Sequence, residues 1–453
     1  MDLARSQRLL AVLRQRSPQT AAQLMQALGV SQPALSRLIA ADEQVLRIGR
    51  ARASRYVLAR AVGRAGWRWP LYRIDVAGRA HGLGELRALH ADAFHFEPAQ
   101  ALPALLQGEF AQGLFPGLPW FMDDLRPQGF LGCGFARSVA AEIDAPEDLQ
   151  RWRADDVVLA LLRHGHDLPG DLVLGEAALQ HAQRLIAMPA DAIAPDLRAA
   201  RYPMLAEAAL RGDAVGSSAA GEQPKFLTTL LSDDGYMPVI VKFSERTHTP
   251  TGRRWADLLY CEQIAGEVLR TQGVPAAESE IVAADGRVFL QSRRFDRTPR
   301  LGRRGFVSLS ALDAAFFAHA HIDWWRLAPR LEADGWIAAA DARHLRLLGW
   351  FGALIANSDM HLGNVALLRA DARPFALAPA YDMLPMHYRP AVSGEVVPRE
   401  HTVQRPPPAA RDDWQQAAAM ARTFWQRVSE STEISVEFRR IASAAGKALA
   451  AVL

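Results

Sequence analysis

Three polar residues occur at spacings that suit phosphoryl transfer. In the stretch NSDMHLGN, which runs from Asn357 to Asn364, Asp359 lies five residues before Asn364, and Asp382 follows eighteen residues further on. In protein kinases, the loop aspartate accepts the proton of the substrate hydroxyl, and the asparagine and a later aspartate hold magnesium. We therefore expect Asp359 to be the catalytic base and Asn364 and Asp382 to be the ligands of Mg²⁺.

Two apolar elements must position this stretch. The run 345–355 has the apolar density of a buried helix, and 365–368 reads as a strand, so the polar residues lie between them. A short loop there could bring metal ligands beside a proton acceptor. The alternative is a satisfied polar turn, in which Asn357 and His361 only bond backbone groups.

Lysine is rare in this chain, and its positions are therefore informative. Of the 52 basic residues only three are lysines, at positions 225, 242 and 447, and the other 49 are arginines. Lys242 lies near the end of the apolar strand run 237–243, which is like the kinase strand whose lysine pairs with the nucleotide phosphates. A compact ammonium suits that role. The alternative is a lysine whose charged end reaches solvent from the strand end.

A run of small residues precedes the lysine strand. Residues 216–225 read GSSAAGEQPK and end at Lys225, and a strand is predicted over 226–231. Small side chains let backbone N–H groups approach phosphate oxygens. The run matches neither G-x-G-x-x-G nor the Walker A motif, so an ordinary flexible loop is the alternative.

Taken together, these motifs resemble a known family. The segments GSSAAGEQPK, VIVKF, SRRFDR (292–297), NSDMHLGN and AYDMLP (380–385) occur in the order and spacing of the HipA family, and LPWFMDDLRPQG (118–129) resembles its N-terminal signature. HipA proteins are serine/threonine kinase toxins of bacterial toxin–antitoxin systems. The resemblance covers roughly residues 66–440. It is nearest to the YjjJ-like branch, which has a fused N-terminal helix-turn-helix.

The resemblance implies roles for further residues and two cofactors, ATP and Mg²⁺. Ser218 corresponds to a serine that family members autophosphorylate, which displaces the loop and inactivates the enzyme; Ser217 is the alternative acceptor. Arg293 stands where an acidic residue is familiar at the hinge. The acidic partner of Lys242 is either Glu262 or Asp257, both on a helical stretch over 255–269. The expected ATP-binding residues are Lys242, Ser218, Ala219, Ala220, Gly221, Lys225, Arg293 and Phe295.

The first sixty residues form a basic module. Residues 1–62 contain ten arginines against three acidic residues, a net charge of +7, whereas the rest of the chain carries −4. Apolar periodicity predicts a helix over 6–14 and a second over 20–28 closed by Gly29; Ser31 then caps a third with Pro33 in its first turn. Strands over 45–48 and 55–58 bracket an arginine-bearing hairpin. The pattern is that of a winged helix-turn-helix, which binds double-stranded DNA.

The expected DNA contacts lie on the third helix and the hairpin. Gln32, Ser36 and Arg37 would face base edges or phosphates, and Arg50 and Arg52 would hold the DNA backbone. The alternative is a three-helix interaction module with a solvated basic face.

Composition excludes several classes of protein. The 453 residues are 50% apolar, enough for about three domains, and contain no run of eighteen apolar residues. The start of the chain reads as an amphipathic helix, with no leader and no membrane partner expected. The two cysteines, Cys133 and Cys261, are far apart, which argues for a reducing cytoplasm and against a zinc site. We expect a cytoplasmic protein, associated with the nucleoid when bound to DNA.

The predicted fold class is α+β. A winged helix-turn-helix over 1–62 precedes a HipA-like, two-lobed, protein-kinase-like fold, with a mixed α/β lobe over 66–300 and a mainly helical lobe over 301–453. The predicted function is a serine/threonine protein kinase toxin with a fused DNA-binding domain and a protein acceptor, for which the resemblance suggests an aminoacyl-tRNA synthetase. The alternatives are a transcriptional regulator whose kinase-like body senses a ligand, and a small-molecule kinase. A homodimer is also expected.

Overall fold

The computed structural model describes residues 2–49, 53–189, 191–211 and 223–453. Its first elements are three helices and an antiparallel hairpin: α1 (Asp2–Gln15), α2 (Ala21–Leu28), α3 (Gln32–Ala40), β1 (Val45–Ile48) and β2 (Arg55–Leu58). Buried leucines of the three helices form their common core. The predicted helices and strands of this part are therefore present, with α1 longer at its N-terminal end than the sequence indicated.

Local signals explain where α2 and α3 begin and end. Thr20 and Gln23 form a capping box at the start of α2, and Gly29 ends it in the left-handed conformation with φ 66°. Ser31 occupies the N-cap position of α3, and Pro33 lies in its first turn, but the Ser31 side chain makes no capping hydrogen bond. The sequence thus identifies the position of that cap but not its bonding.

An antiparallel sheet with helices follows the hairpin. Its strands lie in the order β6-β5-β4-β3-β7. The elements of this middle unit are β3 (Arg68–Ile74), β4 (Ala80–Ala88), β5 (Phe94–Pro98), β6 (Leu114–Phe115), α4 (Gly129–Ile143), α5 (Ala154–His164), β7 (Leu172–Leu174) and α6 (Glu176–Ala187). The next helix, α7 (Arg198–Arg211), packs against the sheet that follows.

A second antiparallel sheet carries the two lysines of the predicted phosphate site. Its strands lie in the order β10-β11-β9-β8, and α8 packs against β11 and β10. Its elements are β8 (Lys225–Ser232), β9 (Gly235–Phe243), α8 (Pro250–Thr271), β10 (Ser279–Ala284) and β11 (Arg287–Arg293).

The remainder is mainly helical, as predicted, and contains a small antiparallel sheet in the order β12-β13-β14. Its elements are β12 (Phe306–Ser308), α9 (Leu309–Phe316), α10 (Trp324–Ala333), α11 (Ala339–Leu354), β13 (Ala366–Leu368), β14 (Ala376–Leu377), α12 (Arg411–Glu430) and α13 (Val436–Ala450). Throughout the described ranges, no helix is both long and apolar enough to cross a bilayer.

Candidate active site

Lys242 lies at the centre of a buried ion-pair cluster. Its Nζ atom donates to Oε1 and Oε2 of Glu262, on α8, at 2.6 and 2.8 Å, and it also contacts the Asp382 carboxylate. Lys242 and Glu262 are 7% and 8% exposed. Asp257 instead accepts hydrogen bonds from the backbone N–H and hydroxyl of Ser435, both at 2.7 Å. Of the two carboxylates left open by the sequence, Glu262 is therefore the partner of Lys242.

Burial and neighbouring charges shift the pKa values of the three groups in this cluster by different amounts and in different directions. Burial opposes the charge of Lys242, but Asp382 and Glu262 outweigh it and raise the pKa of the ammonium above its ordinary value. Burial also opposes ionisation of Asp382, yet Lys242 and Lys225 hold the pKa of its carboxyl below the usual range. Burial raises the pKa of Glu262, and Lys242 offsets only part of that effect. Asp382 is thus the more readily ionised carboxylate of the two.

Lys225 adds a second cation on the same face of the sheet. It lies directly opposite Lys242 in the pairing of β8 with β9. Because directly opposed residues of an antiparallel pair point to one side of the sheet, both ammonium groups belong to the face that carries Asp382. Two cations on one face are suited to the charge of a polyphosphate.

The loop that carries Asp359 begins where α11 ends. Ala356 adopts a positive φ of 60°, and the Asn357 N–H bonds back to the Gly352 carbonyl at 2.9 Å, which turns the chain out of the helix. Asn357 then accepts the Asp359 N–H at 3.0 Å. The Asp359 side chain is 44% exposed, so it is accessible to a substrate.

Two hydrogen bonds fasten this loop to the segment of Asp382. The Asn357 side-chain amide donates to the Asp382 carbonyl at 3.2 Å, and the Tyr381 hydroxyl donates to the Gly363 carbonyl at 3.0 Å. Asp382 itself has a positive φ of 55°. Asn357 therefore bonds backbone groups, as the polar-turn alternative proposed, but these bonds also hold the two predicted functional segments together.

The donor set near this junction suits magnesium. The amide nitrogen of Asn364 donates to the Asp359 carbonyl at 2.9 Å, which turns the amide oxygen away from that carbonyl. Asn364 and Asp382 thus offer hard oxygen atoms, the ligands that Mg²⁺ prefers. Within the described ranges, no group of three or more His, Cys, Asp and Glu side chains forms a metal site.

The two predicted hinge residues lie in different settings. Phe295 stacks on Tyr381 with ring centroids 5.8 Å apart and planes at 25°, so it lies beside the Asp382 segment. Arg293 ends β11, and its guanidinium pairs with Glu278 at 3.2 Å on the partly exposed surface. The structure brings Phe295 toward the cluster and directs the Arg293 side chain to a carboxylate elsewhere.

A buried charge network that sequence reasoning missed supports the hinge. Arg294 and Arg297 both pair with Asp296, at 2.9 and 2.6 Å, and Arg297 also pairs with Asp167 of the middle unit at 2.9 Å. Arg294, Asp296 and Arg297 are each at most 7% exposed. Their types were visible within SRRFDR, but only the fold shows that they connect the hinge to residues 165–171.

Two family models match the chain. Residues 65–183 match the middle domain of YjjJ-like toxins, and residues 217–449, just over half of the chain, match the HipA-like C-terminal domain. The toxin YjjJ of Escherichia coli (strain K12) is 37% identical over 427 residues, which cover 94% of this chain and 93% of that protein. This chain belongs to the HipA family. Within it, the chain is a YjjJ-like member.

Two solved structures align with this chain. The HipA of Shewanella oneidensis MR-1, from a structure of the toxin–antitoxin complex of HipA, HipB and operator DNA, aligns with a TM-score of 0.54 at 14% identity. The alignment covers 84% of this chain and 96% of that one. The proinflammatory kinase CtkA of Helicobacter pylori aligns with a TM-score of 0.35 at 12% identity, over 50% of this chain and 90% of that one. The HipA match shows that the mixed α/β fold is shared.

The remaining predicted residues of this HipA-family chain lie apart from the cluster or outside the described ranges. Gln32, Ser36 and Arg37 are exposed on α3. Several of the predicted residues lie outside the described residues: Arg50 and Arg52 of the hairpin, and Ser217, Ser218, Ala219, Ala220 and Gly221 of the small-residue run.

Proposed function

We propose that the chain is an ATP-dependent serine/threonine protein kinase of HipA type. The observation that carries the proposal is the buried Lys242–Glu262 pair in contact with Asp382, whose segment is hydrogen-bonded to the loop of Asp359. This arrangement combines a phosphate-pairing cation, metal-ligand oxygens and an accessible carboxylate in one place.

Each residue of the cluster has a distinct task in this mechanism. Asp359 accepts the proton of the acceptor hydroxyl, and its exposure leaves room for that hydroxyl to approach. Lys242 and Lys225 neutralise phosphate oxygens, and Glu262 holds Lys242 in place. Magnesium-bound ATP supplies the phosphoryl group, with Asn364 and Asp382 as the metal ligands. With Asn364 and Asp382 holding the metal, Lys242 would be free to neutralise a phosphate oxygen instead of the Asp382 carboxylate.

The adenine site and the phosphate loop complete the proposed nucleotide site. Phe295, stacked on Tyr381, offers an apolar surface for the base, while Arg293 contributes through its backbone, since its side chain pairs with Glu278. Residues 218–221 supply backbone N–H groups to the phosphates. We propose Ser218, with Ser217 as the alternative, as the autophosphorylation site. Its added charge of about −1.5 to −2 would compete with the ATP phosphates.

We further propose that residues 1–62 form a winged helix-turn-helix that binds double-stranded DNA. The order of α1, α2, α3 and the β1–β2 hairpin, the net charge of +7 and the exposure of Gln32, Ser36 and Arg37 support it. The solved HipA complex contains HipB and operator DNA as separate molecules. In this chain the DNA-binding part would be fused to the kinase, and a homodimer would match a two-fold DNA site.

A purified-protein experiment tests the kinase proposal and separates it from its alternatives. The full chain is incubated with ATP and magnesium, and its intact mass and phosphopeptides are measured. We expect phosphate on Ser218 or Ser217 and weaker ATP binding by the modified form. ATP binding without any transfer would favour a ligand-sensing regulator. Transfer only to metabolites, when a metabolite extract is added to the same incubation, would favour a small-molecule kinase.

A further inference from the structure

A trough with three connected cavities runs along the helical lobe beside the loop of Asp359. The first cavity, of about 270 Å³, shares Ser358 and His387 with a second of about 450 Å³, and shares Asp323 and Met360 with a third of about 320 Å³. Ser358 and Met360 are the two neighbours of Asp359. The trough therefore passes directly beside the proposed catalytic base.

The trough is distinct from the nucleotide side of the site. None of Lys225, Lys242, Glu262, Phe295 and Asp382 lines any of the three cavities. Its walls come instead from α10, α11 and the segment 386–404. Ser358 and Met360 line the trough but Asp359 itself does not, so a molecule in the trough would lie along the loop of Asp359 without displacing the nucleotide.

The first cavity has an aromatic wall with unused polar atoms. Trp325 lines it and stacks on Trp350, with ring centroids 4.6 Å apart. Trp324 is 2% exposed, and its indole Nε1 has no hydrogen-bond partner among the described residues. The same holds for Nε2 of His401, which also lines the cavity. Both atoms are buried, so the half-buried ring of Trp325 supplies the aromatic surface that an apolar group in the cavity would contact.

The second cavity is basic. Arg389 and Arg399 line it, no carboxylate does, and neither arginine forms an ion pair within the described part of the chain. Arg399 donates to the carbonyls of His387 and Arg389, both at 2.7 Å, which fixes its charge in place. At the opposite end, Arg326 is paired with Asp323 at 3.1 Å. Among the described residues, arginines without a paired carboxylate therefore line the trough only at the end formed by the second cavity.

We propose that this trough binds the acceptor as an extended protein segment, with acidic residues on one side of the phosphorylated hydroxyl. The hydroxyl lies at Asp359, the acidic residues lie at Arg389 and Arg399, and an apolar residue fills the cavity beside Trp324 and Trp325. This inference rests on the proposed kinase function and specifies the class of acceptor.

The test uses the full chain and three labelled peptides. Each has a central serine and a leucine on one side; the other side carries glutamates, glutamines or lysines. Binding is measured by fluorescence anisotropy, and phosphate transfer is measured separately by mass spectrometry. We expect the glutamate peptide to bind roughly three- to tenfold more tightly than the glutamine peptide, as suits solvent-accessible charge pairs. Equal binding of all three peptides, or no binding, would overturn the proposal.

Two substitutions with matched controls sharpen this test. Arg389→Glu should reverse the preference toward the lysine peptide, whereas Arg440→Glu, on the exposed face of α13, should not. Trp324→Phe should weaken the binding of all three peptides by the same factor. Trp69→Phe should not, because that buried indole lies on β3 and does not line the trough. An Arg389→Glu protein with the wild-type preference contradicts the proposal. Charge-selective binding without phosphate transfer would instead refute the kinase function and leave the trough as a peptide site.

Discussion

Among single residues, Lys242 is the most important for the proposed nucleotide site, because two carboxylates share its ammonium group. Glu262 holds it with two hydrogen bonds inside the protein, while Asp382 contacts it from a segment that also offers a metal ligand. Removing one partner of a buried ion pair leaves the other charge uncompensated, which is costly. The Lys242–Glu262 contact should therefore be more important for nucleotide binding than any exposed ion pair on this lobe.

The first prediction tests this pair with Glu262→Gln. Lys242 would then rely on Asp382 alone and compete with magnesium for that carboxylate. We expect ATP affinity to fall by roughly tenfold or more, in line with the loss of a buried charged partner. Isothermal titration with ATP and magnesium provides the measurement, with Glu280→Gln on exposed β10 as the control. Equal affinities of the two variants would refute the assigned role of Glu262.

The second prediction concerns pH. His95 is 6% exposed, and burial, followed by the charge of Arg87, lowers the pKa of its imidazole to about 4. In the unfolded chain, the His95 imidazole takes up a proton near pH 6.5. The contribution of neutral His95 to the free energy of unfolding is therefore fully present above about pH 6.5 and is lost as the pH falls toward about 4. Over this range, wild type should lose about 1–3 kcal/mol more unfolding free energy than His95→Gln.

Chemical denaturation at several pH values measures this difference. His248→Gln, at an exposed histidine, serves as the control and should follow the wild-type pH dependence. A His95→Gln protein whose stability falls with pH as steeply as wild type would show that His95 is not the titrating group.

Single residues differed in how well the sequence predicted their positions. Spacing alone suggested that Asp359, Asn364 and Asp382 belong to one site, and the structure brings their segments together. The choice between Glu262 and Asp257 was not decidable, since both lie on α8 and only packing determines which faces β9. The bonds of Tyr381 and of the Arg294–Asp296–Arg297 network join segments far apart in sequence, which no local pattern encodes.

Among the helices, α8 is anchored by contacts with α12, with α13 and with the turn between them. Asp257 bonds Ser435, the N-cap residue of α13, and Arg254 donates to Glu437 at 2.7 Å and to the Tyr388 carbonyl at 3.0 Å. Arg427 pairs with Glu267 further along α8. These contacts position the helix that presents Glu262 to Lys242.

The third prediction follows from this anchoring. Ser435→Ala removes a cap and a bond to Asp257, so it should cost about 1 kcal/mol of unfolding free energy. It should also weaken ATP binding several-fold although Ser435 is remote from the phosphates. Ser429→Ala is the matched control, because that hydroxyl bonds only within α12. Unchanged ATP affinity in Ser435→Ala would mean that the turn does not position Glu262.

The fourth prediction concerns the hairpin and α3. Replacing Arg50 and Arg52 by alanine should weaken binding to all DNA sequences and flatten the salt dependence by roughly one unit of slope per lost phosphate contact. Gln32→Ala should change sequence preference more than overall affinity. Fluorescence titrations over a salt series measure both effects, with Arg440→Ala as the control. If the wild-type chain binds no duplex at low salt, the N-terminal unit is not a DNA-binding domain.

Elements with a strong apolar period were predicted well, and so were the short strands β1, β2 and β13, but two of the shortest strands were not. The strand predicted over 226–231 is β8 (Lys225–Ser232), and the helix predicted over 345–355 is part of α11. The strands β12 and β14 have only three and two residues and were not anticipated. Such short strands exist because their partners lie beside them in the fold, so local sequence carries little signal for them.

At the scale of the whole molecule, the basic N-terminal unit is joined firmly to the middle sheet. Ala59 pairs with Leu89 next to that sheet, and Ile48, Val57 and Leu89 share a small apolar cluster. Arg60 adds ion pairs to Asp155 at 2.5 Å. The N-terminal unit and the middle unit are therefore packed together through apolar contacts, a backbone bridge and an ion pair. The net charge predicted a separate module, but only the structure reveals how tightly it is joined.

We propose that this chain transfers phosphate to protein hydroxyls with Asp359 as the base. The most direct measurement compares the phosphoproteomes of cells that express wild type, Asp359→Asn or the control Asp412→Asn, which changes an exposed aspartate at the start of α12. We predict phosphosites shared by wild type and Asp412→Asn that fall by on the order of 100-fold or more in Asp359→Asn. The same phosphosites at wild-type levels in Asp359→Asn would contradict the account.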